Sequence, residues 1–274
     1  MTGDKKADLA GPGVSTYPEV AGVLPTGYRS VLTPMETMEA LFASKASIEE
    51  GLARELNLKM VQVPLIVTRE SGVNDMLDRD GSRTPVEFPA GLGIEPRLNA
   101  QVVQAATKWK RTALAQFGCV PGEGINTDMK AIRKDYFLDH DHSCYVDQWD
   151  WEKAITAEDR HLDYLKDTVR KIWGVLVGAG RVVQEMFPQL AEGFPPIPEE
   201  LTFLHAEEIL EAYPDLPRKQ RETAILQDYP AVFIVGIGYP LDDGYPHENR
   251  AADYDDWITP ITMPDGRPAR GLNG

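Results

Sequence analysis

Two stretches decide the fold, Ile125-Asn126-Thr127-Asp128-Met129-Lys130-Ala131-Ile132-Arg133 and His142-Ser143-Cys144-Tyr145-Val146-Asp147-Gln148-Trp149-Asp150-Trp151. Both suit strands, and the polar loop from Lys134 to Asp141 joins them into a long antiparallel hairpin. Side chains alternate between the two faces of a strand. In the second stretch one face carries His142, Cys144, Val146, Gln148 and Asp150, and the other carries Ser143, Tyr145, Asp147, Trp149 and Trp151. Polar groups therefore stand among apolar ones on both faces. A plain core strand does not read this way; a strand that lines a site does.

Upstream of the hairpin, Thr33-Pro34-Met35-Glu36 has the form of a capping box with proline at the first helical position. Met38, Leu41, Phe42, Ile48, Leu52 and Leu56 follow at helical spacing and are expected in the core. Met60 to Val67 reads as one strand, with Pro64 marking an edge or bulge. The stretch from Ser71 to Arg83 reads as a loop, Pro85 to Phe88 as a short strand, and Gln101 to Gln104 as a strand entering a helix that runs through Phe117. Downstream, a helix is expected from about Glu158 to Phe187, with its buried stripe from Leu162 to Met186. Shorter helices follow near His205 to Tyr213 and Pro217 to Asp228, and then a buried strand from Ala231 to Gly238. Beyond it the chain reads as loop. Strands and helices do not alternate regularly, so the pattern predicts an α+β fold, an antiparallel sheet with helices packed against it. Residues 1–24 read as a flexible tail and 25–274 as one catalytic domain.

The 274 residues include 43 acidic and 28 basic side chains, a formal net charge of −15. That field repels phosphate backbones and anionic lipid, which argues against a general nucleic-acid binder or a membrane-surface protein. The longest strongly apolar run, Ala231 to Ile237, is far too short to span a bilayer. No signal-peptide pattern opens the sequence, so a cytoplasmic location is expected. Cys119 and Cys144, with no CxxC, read as reduced and buried thiols rather than a zinc site. His140-Asp141-His142 lacks further ligands and reads as a solvated loop, so no protein metal site is predicted. Gly236-x-Gly238 lacks the rest of a dinucleotide fingerprint and reads as tight packing.

Four segments in order carry a resemblance: Lys108-Trp109-Lys110-Arg111, Gly122-Glu123-Gly124 running to Lys130-Ala131-Ile132-Arg133, Tyr145 to Glu152, and Arg250-Ala251-Ala252-Asp253-Tyr254-Asp255-Asp256-Trp257. Weaker matches at Thr26-Gly27-Tyr28, Asn74-Asp75, Tyr213-Pro214-Asp215 and Val235 to Gly238 extend it. Together they resemble the ammonia-dependent asparagine synthetases. The resemblance implies a class II aminoacyl-tRNA synthetase-like fold, an antiparallel sheet flanked by helices, in a homodimer. It also implies the reaction: ATP and Mg²⁺ adenylate the side-chain carboxylate of aspartate, and ammonia then displaces AMP to give asparagine.

A carboxylate does not react with ammonia at neutral pH because its leaving group would be an oxide. Adenylation supplies a good leaving group, but the protein must hold two anions together and screen the charge between them. By the resemblance, Arg133 does so with a fork that fits two oxygens at once. Asp75 and Gln148 join it as catalytic or recognition residues. Lys110, Gln104, Asp150, Asp253 and Asp255 bind substrate. Glu123 and Arg250, with Arg133, bind nucleotide. Asp253, Asp255 and Asp256 crowd three carboxylates, one of which would take the substrate ammonium or a proton from ammonia.

The sequence departs from the family where His-Ser is replaced by Gln104-Ala105, where Met76 follows Asp75, and at its end. Family members run on beyond the match to Gly271-Leu272-Asn273-Gly274, so the last strands and helix of the core, with the motif 3 arginine, are expected to be missing. A non-catalytic paralogue serving as a dimerising or amino-acid-binding module, and a fragment of an aminoacyl-tRNA synthetase, stand as alternatives.

Overall fold

The computed structural model describes residues 29–77, 81–135, 138, 143–192, 196–252, 254–262 and 268–273. They form two compact units. The N-terminal unit comprises 41–175, and the C-terminal unit combines 30–40 with 176–273. The first helix is α1 (Pro34–Leu56). Its start is fixed as the sequence predicts. The Thr33 N–H donates to Glu36 Oε2 at 2.7 Å, and the Glu36 N–H donates to Thr33 Oγ1 at 3.3 Å. That contact holds the Glu36 carboxyl below its ordinary value. Only the second half of the apolar stripe is core. Ile48, Leu52 and Leu56 are buried, whereas Met38, Leu41 and Phe42 are exposed, Phe42 by 68%.

In the N-terminal unit, β1 (Leu58–Met60) pairs parallel with β5 (Gly124–Ile132), and β5 pairs antiparallel with β6 (Tyr145–Lys153). The register runs unbroken from Gly124 opposite Lys153 to Ile132 opposite Tyr145. The expected hairpin is therefore present. The single strand expected over Met60 to Val67 is two, β1 and β2 (Ile66–Thr68), split around Pro64, which has no N–H to give a ladder. Strands β2, β3 (Glu87–Ala90) and β4 (Leu98–Val102) make a small antiparallel sheet in the order β2-β4-β3, which leads into α2 (Thr107–Gln116). Val103, Ala106, Met129 and Ala131 form its buried core, with Val63, Val67 and Val146 against them. Cys119 is half-buried and Cys144 exposed, both free, so the expectation of buried thiols does not hold.

Helix α3 (Leu162–Met186) matches its predicted span, with Val169, Ile172 and Trp173 buried and the end residues Leu162 and Met186 exposed. In the C-terminal unit, a sheet in the order β10-β9-β8-β7 is built from β7 (Thr202–His205), β8 (Val232–Val235), β9 (Asp256–Thr262) and β10 (Pro268–Asn273). Helices α4 (Ala206–Ala212) and α5 (Arg218–Ile225) bury Ala206, Ile209, Leu210 and Ile225 against Val232, Ile234 and Ile258. Phe203, Phe233 and Trp257 stand in register, ring centroids 5.5 and 6.4 Å apart. Three strands, β7, β9 and β10, correct the sequence reading. Strand β9 is rich in strand formers, Trp257, Ile258, Thr259, Ile261 and Thr262, interrupted by Pro260, whereas β10 has few; β9 pairs with β8 and β10 with β9, which completes the ladder. The whole is α+β and largely antiparallel, as expected, with two parallel pairs, β1·β5 and β7·β8.

Candidate active site

The pleat of β5 and β6 puts Thr127, Met129, Gln148 and Asp150 on one face, because Thr127 lies opposite Asp150 and Met129 opposite Gln148. Arg133 follows the last paired residue of β5, where its N–H donates to Cys144 O at 2.7 Å. Its guanidinium turns onto the same face. Nη2 reaches Gln148 Oε1 at 3.5 Å, and Nε donates to Gln104 O at 3.2 Å. Arg133 and Gln148, expected to converge across the ribbon, do meet.

Gln104 is 2% exposed, and its N–H donates to Asn74 Oδ1 at 2.9 Å. Asn74 Nδ2 donates in turn to Gln101 Oε1 (3.2 Å) and Val102 O (3.1 Å). Asp75 is thereby delivered to the start of α2. Ala106 precedes that helix and has no side-chain acceptor; Asp75 supplies one from a distant loop, accepting from the Thr107 N–H at 2.6 Å and the Lys108 N–H at 3.4 Å. One turn on, Lys110 is 1% exposed and ion-paired with Asp150, whose main-chain oxygen accepts from Thr127 Oγ1 at 2.9 Å. A buried ammonium must be paired in this way. Two residues further along β6, burial pushes the Glu152 carboxyl up, and the nearby Lys110 and Arg111 charges only partly offset it.

The hairpin thus gathers Arg133, Gln148, Gln104, Asp75, Lys110 and Asp150 into one neighbourhood. Glu123 is not among them. It closes the turn before β5, with the Val120 N–H donating to its Oε2 at 3.3 Å. That is the opposite end of the strand from Arg133, roughly 30 Å away at the rise of an extended chain. The sequence reading missed Asn74 as more than a motif match, and it missed Thr127 and Glu152. Thr127 and Glu152 share the pleat of Gln148 and Asp150, and that alternation was the available signal.

The other face of the ribbon carries a square of alternating charges. Lys45 of α1 and Lys130 both donate to Asp128 Oδ1 and to Asp147 Oδ1, at 2.7–2.8 Å. Burial alone would depress the Lys130 ammonium, but its bonds to Asp128 and Asp147 outweigh that and raise it. Burial likewise opposes ionisation of Asp147, and the two lysines reverse the effect and lower it. A cleft of about 650 Å³ opens beside the square, lined by Glu49, Met60, Gln62, Leu65, Asp128 and Lys130, and Arg133 has no part in it.

In the C-terminal unit, Asp255 Oδ1 accepts from the Gly236 N–H at 2.7 Å. Asp256, 8% exposed, accepts from the Tyr254 hydroxyl at 3.1 Å. Asp253 lies outside the described residues, as do His140, Asp141 and His142. Arg250 lies over the Tyr254 ring, 4.8 Å from its centroid, with Nε 3.4 Å from Glu248 Oε2. A Cβ on Gly238 would stand 1.7 Å from Ala251 O, so the reading of Gly238 as a close-packing position holds.

A family model for aspartate–ammonia ligase matches residues 35–274. Aspartate–ammonia ligase of Clostridium perfringens is 44% identical over 234 residues, covering 85% of this chain and 68% of that protein. The enzyme of Bacteroides fragilis is 43% identical over 253 residues, 92% of this chain and 70% of the relative. Among solved structures, asparaginyl-tRNA synthetase from Pyrococcus horikoshii complexed with asparaginyl-adenylate superposes with a TM-score of 0.57 at 13% identity, over 86% of this chain and 54% of that one. That likeness is one of fold, the class II synthetase arrangement. The chain spans about two thirds of the length of these curated relatives and about half that of the synthetase.

Proposed function

The chain belongs to the aspartate–ammonia ligase family, and from that premise we propose that it ligates ammonia to the side-chain carboxylate of aspartate at the expense of ATP. A carboxylate oxygen of aspartate attacks the α-phosphorus and pyrophosphate leaves. Ammonia then attacks the acyl carbon of the aspartyl-adenylate, the bond to AMP breaks, and the nitrogen loses a proton to give asparagine.

One observation carries this reading: the Arg133 guanidinium and the Gln148 carboxamide meet across a paired ribbon. Arg133 screens the α-phosphate and the incoming carboxylate while they are brought together, and its Nε contact to Gln104 O limits its freedom to turn. Gln148 and Gln104 orient the amino acid by hydrogen bonds. Asp150, held by Lys110, offers its carboxylate to the substrate ammonium, and Lys110 balances the charge when a second carboxylate arrives. Asp75 keeps α2 in place and through it Lys110. Arg250 takes a nucleotide phosphate, and Asp253 and Asp255 take the amino acid.

Mg²⁺ is bound through one or two carboxylates and the phosphates of its nucleotide. Here Asp150 is engaged by Lys110 and Asp75 by the start of α2, and among the described residues no three His, Cys, Asp or Glu side chains converge to hold a metal. No step passes through the ion. A homodimer is part of the proposal. Met35, Met38, Leu41 and Phe42 leave an apolar stripe exposed on α1, as an interface would. A cytoplasmic location is also part of it; among the described residues no helix is long and apolar enough to cross a membrane.

The test is pyrophosphate release and asparagine formation dependent on ATP, aspartate and ammonia, with sedimentation to measure the oligomer. Release that needs no aspartate, or no release at all, defeats the ligase reading. A monomer at micromolar concentration defeats the dimer.

A further inference from the structure

His247 has no exposed side-chain surface and Glu222 of α5 only 4%, and His247 Nε2 lies 3.1 Å from Glu222 Oε1. Burying an ionisable pair costs desolvation that an apolar pair of similar volume would avoid, so stability alone does not explain it. The pair is the inner end of a chain of polar side chains in contact. Lys219 Nζ is 3.7 Å from Glu222 Oε1 and is also ion-paired with Glu248. Glu248 Oε2 in turn holds Arg250 Nε at 3.4 Å. Lys219 and Arg250 are about half exposed, and Glu248 between them is only 21% exposed. Main-chain bonds run beside the side chains: the Glu248 N–H donates to Ile237 O at 3.1 Å, and the Arg250 N–H to Glu248 O at 2.8 Å.

We propose that the His247–Glu222 pair, relayed through Lys219 and Glu248, is a positioning device that sets Arg250 for a nucleotide phosphate. The proposal rests on the nucleotide role given to Arg250 above. A half-exposed arginine carries considerable rotamer freedom, and fixing it before the ligand arrives removes that cost from binding. The segment around Arg250 is a connection between strands, so no ladder fixes its side chains. His247 is buried in that connection, as Ile237 and Leu241 are, and it is the one that meets Glu222, while Glu248 beside it carries the contact outward to Arg250.

The experiment is ATP affinity by calorimetry on the full chain. Arg250→Gln should weaken ATP. His247→Leu should weaken it about tenfold, and His247→Gln, whose side-chain amide can still meet Glu222, should recover most of the loss. The double variant His247→Leu/Arg250→Gln should be no weaker than Arg250→Gln alone. Lys219→Met, a surface change that spares the core, should weaken ATP several-fold. If Arg250→Gln weakens ATP while His247→Leu and Lys219→Met do not, or if the losses of the double variant multiply, the positioning role is wrong and the nucleotide role of Arg250 stands. If Arg250→Gln leaves ATP binding unchanged, the nucleotide role falls first and the positioning role with it.

Discussion

The β5–β6 ribbon and the connection from β8 to β9 both carry residues assigned to chemistry, but they hold them by different means. In the ribbon the pleat aims each side chain, and nine consecutive register pairs resist any slip. A single displaced residue there would turn Gln148 and Asp150 to the wrong face together. In the β8–β9 connection each functional side chain is fixed separately: Asp255 by the Gly236 amide, Arg250 by Glu248 and the Tyr254 ring. A ribbon is rigid as a whole, whereas a connection is only as fixed as its individual bonds.

The largest effect expected of that contrast is at Arg133. Arg133→Lys keeps the charge and loses the fork, and should lower kcat/KM about a hundredfold or more while leaving the urea midpoint of unfolding in place. An unchanged rate would show that the ribbon does not hold the reacting anions. Next come two glycines, one from each region. A Cβ at Gly124 would lie 2.4 Å from Glu152 O and 2.6 Å from Leu58 Cδ2, inside the ladder. Gly124→Ala should cost about 3 kcal/mol of stability in denaturant titration. Gly238→Ala meets main chain in the connection, with Ala251 O at 1.7 Å and its carbonyl carbon at 2.5 Å; it should cost at least as much, about 3 kcal/mol, and in addition raise the KM for ATP. A KM for ATP raised equally by Gly124→Ala would erase the distinction.

A smaller effect is expected at Asp75. Asp75→Asn retains an acceptor for the α2 amides and loses the charge, so stability should fall by about 0.5 kcal/mol, against about 1 kcal/mol for Asp75→Ala. A drop in aspartate affinity common to both variants would separate a substrate role from the capping role. The smallest effect is at Glu152, whose carboxyl burial raises above its unfolded value. The folded state then disfavours the ionised form, a penalty present above the folded value and gone once pH falls below the unfolded one. Glu152→Gln should therefore melt slightly higher than the parent at neutral pH, with the difference closing as pH drops to about 4. A difference that grows in acid would reverse the assigned cause.

The ribbon was legible because its information is local. Alternation over ten residues and a polar loop between two such runs say strand, hairpin and face at once. Gln148 and Asp150 could be placed on one face before any contact was known. The capping box at Thr33 was legible for the same reason: its partners are three residues apart. Asp75 was not, because the helix it caps begins 32 residues later and Ala106 gives no hint that a cap is needed. Nor could spacing separate Glu123 from Arg133. They look near in sequence, yet an extended strand carries them to opposite ends.

From the sequence alone came the α+β class, the hairpin, the first helix with its cap, and a family signature spread over four short segments. Each rests on periodicity or on residues close together along the chain. The tertiary structure decided which half of the α1 stripe is buried and that Pro260 and Pro268 sit within strands. It also decided that Lys45 closes a charge square on the hairpin and that His247 is sunk against Glu222. Those outcomes depend on which distant surface arrives to bury a side chain or complete a ladder. Burial and pairing are properties of two partners, and one stretch of sequence specifies only one of them.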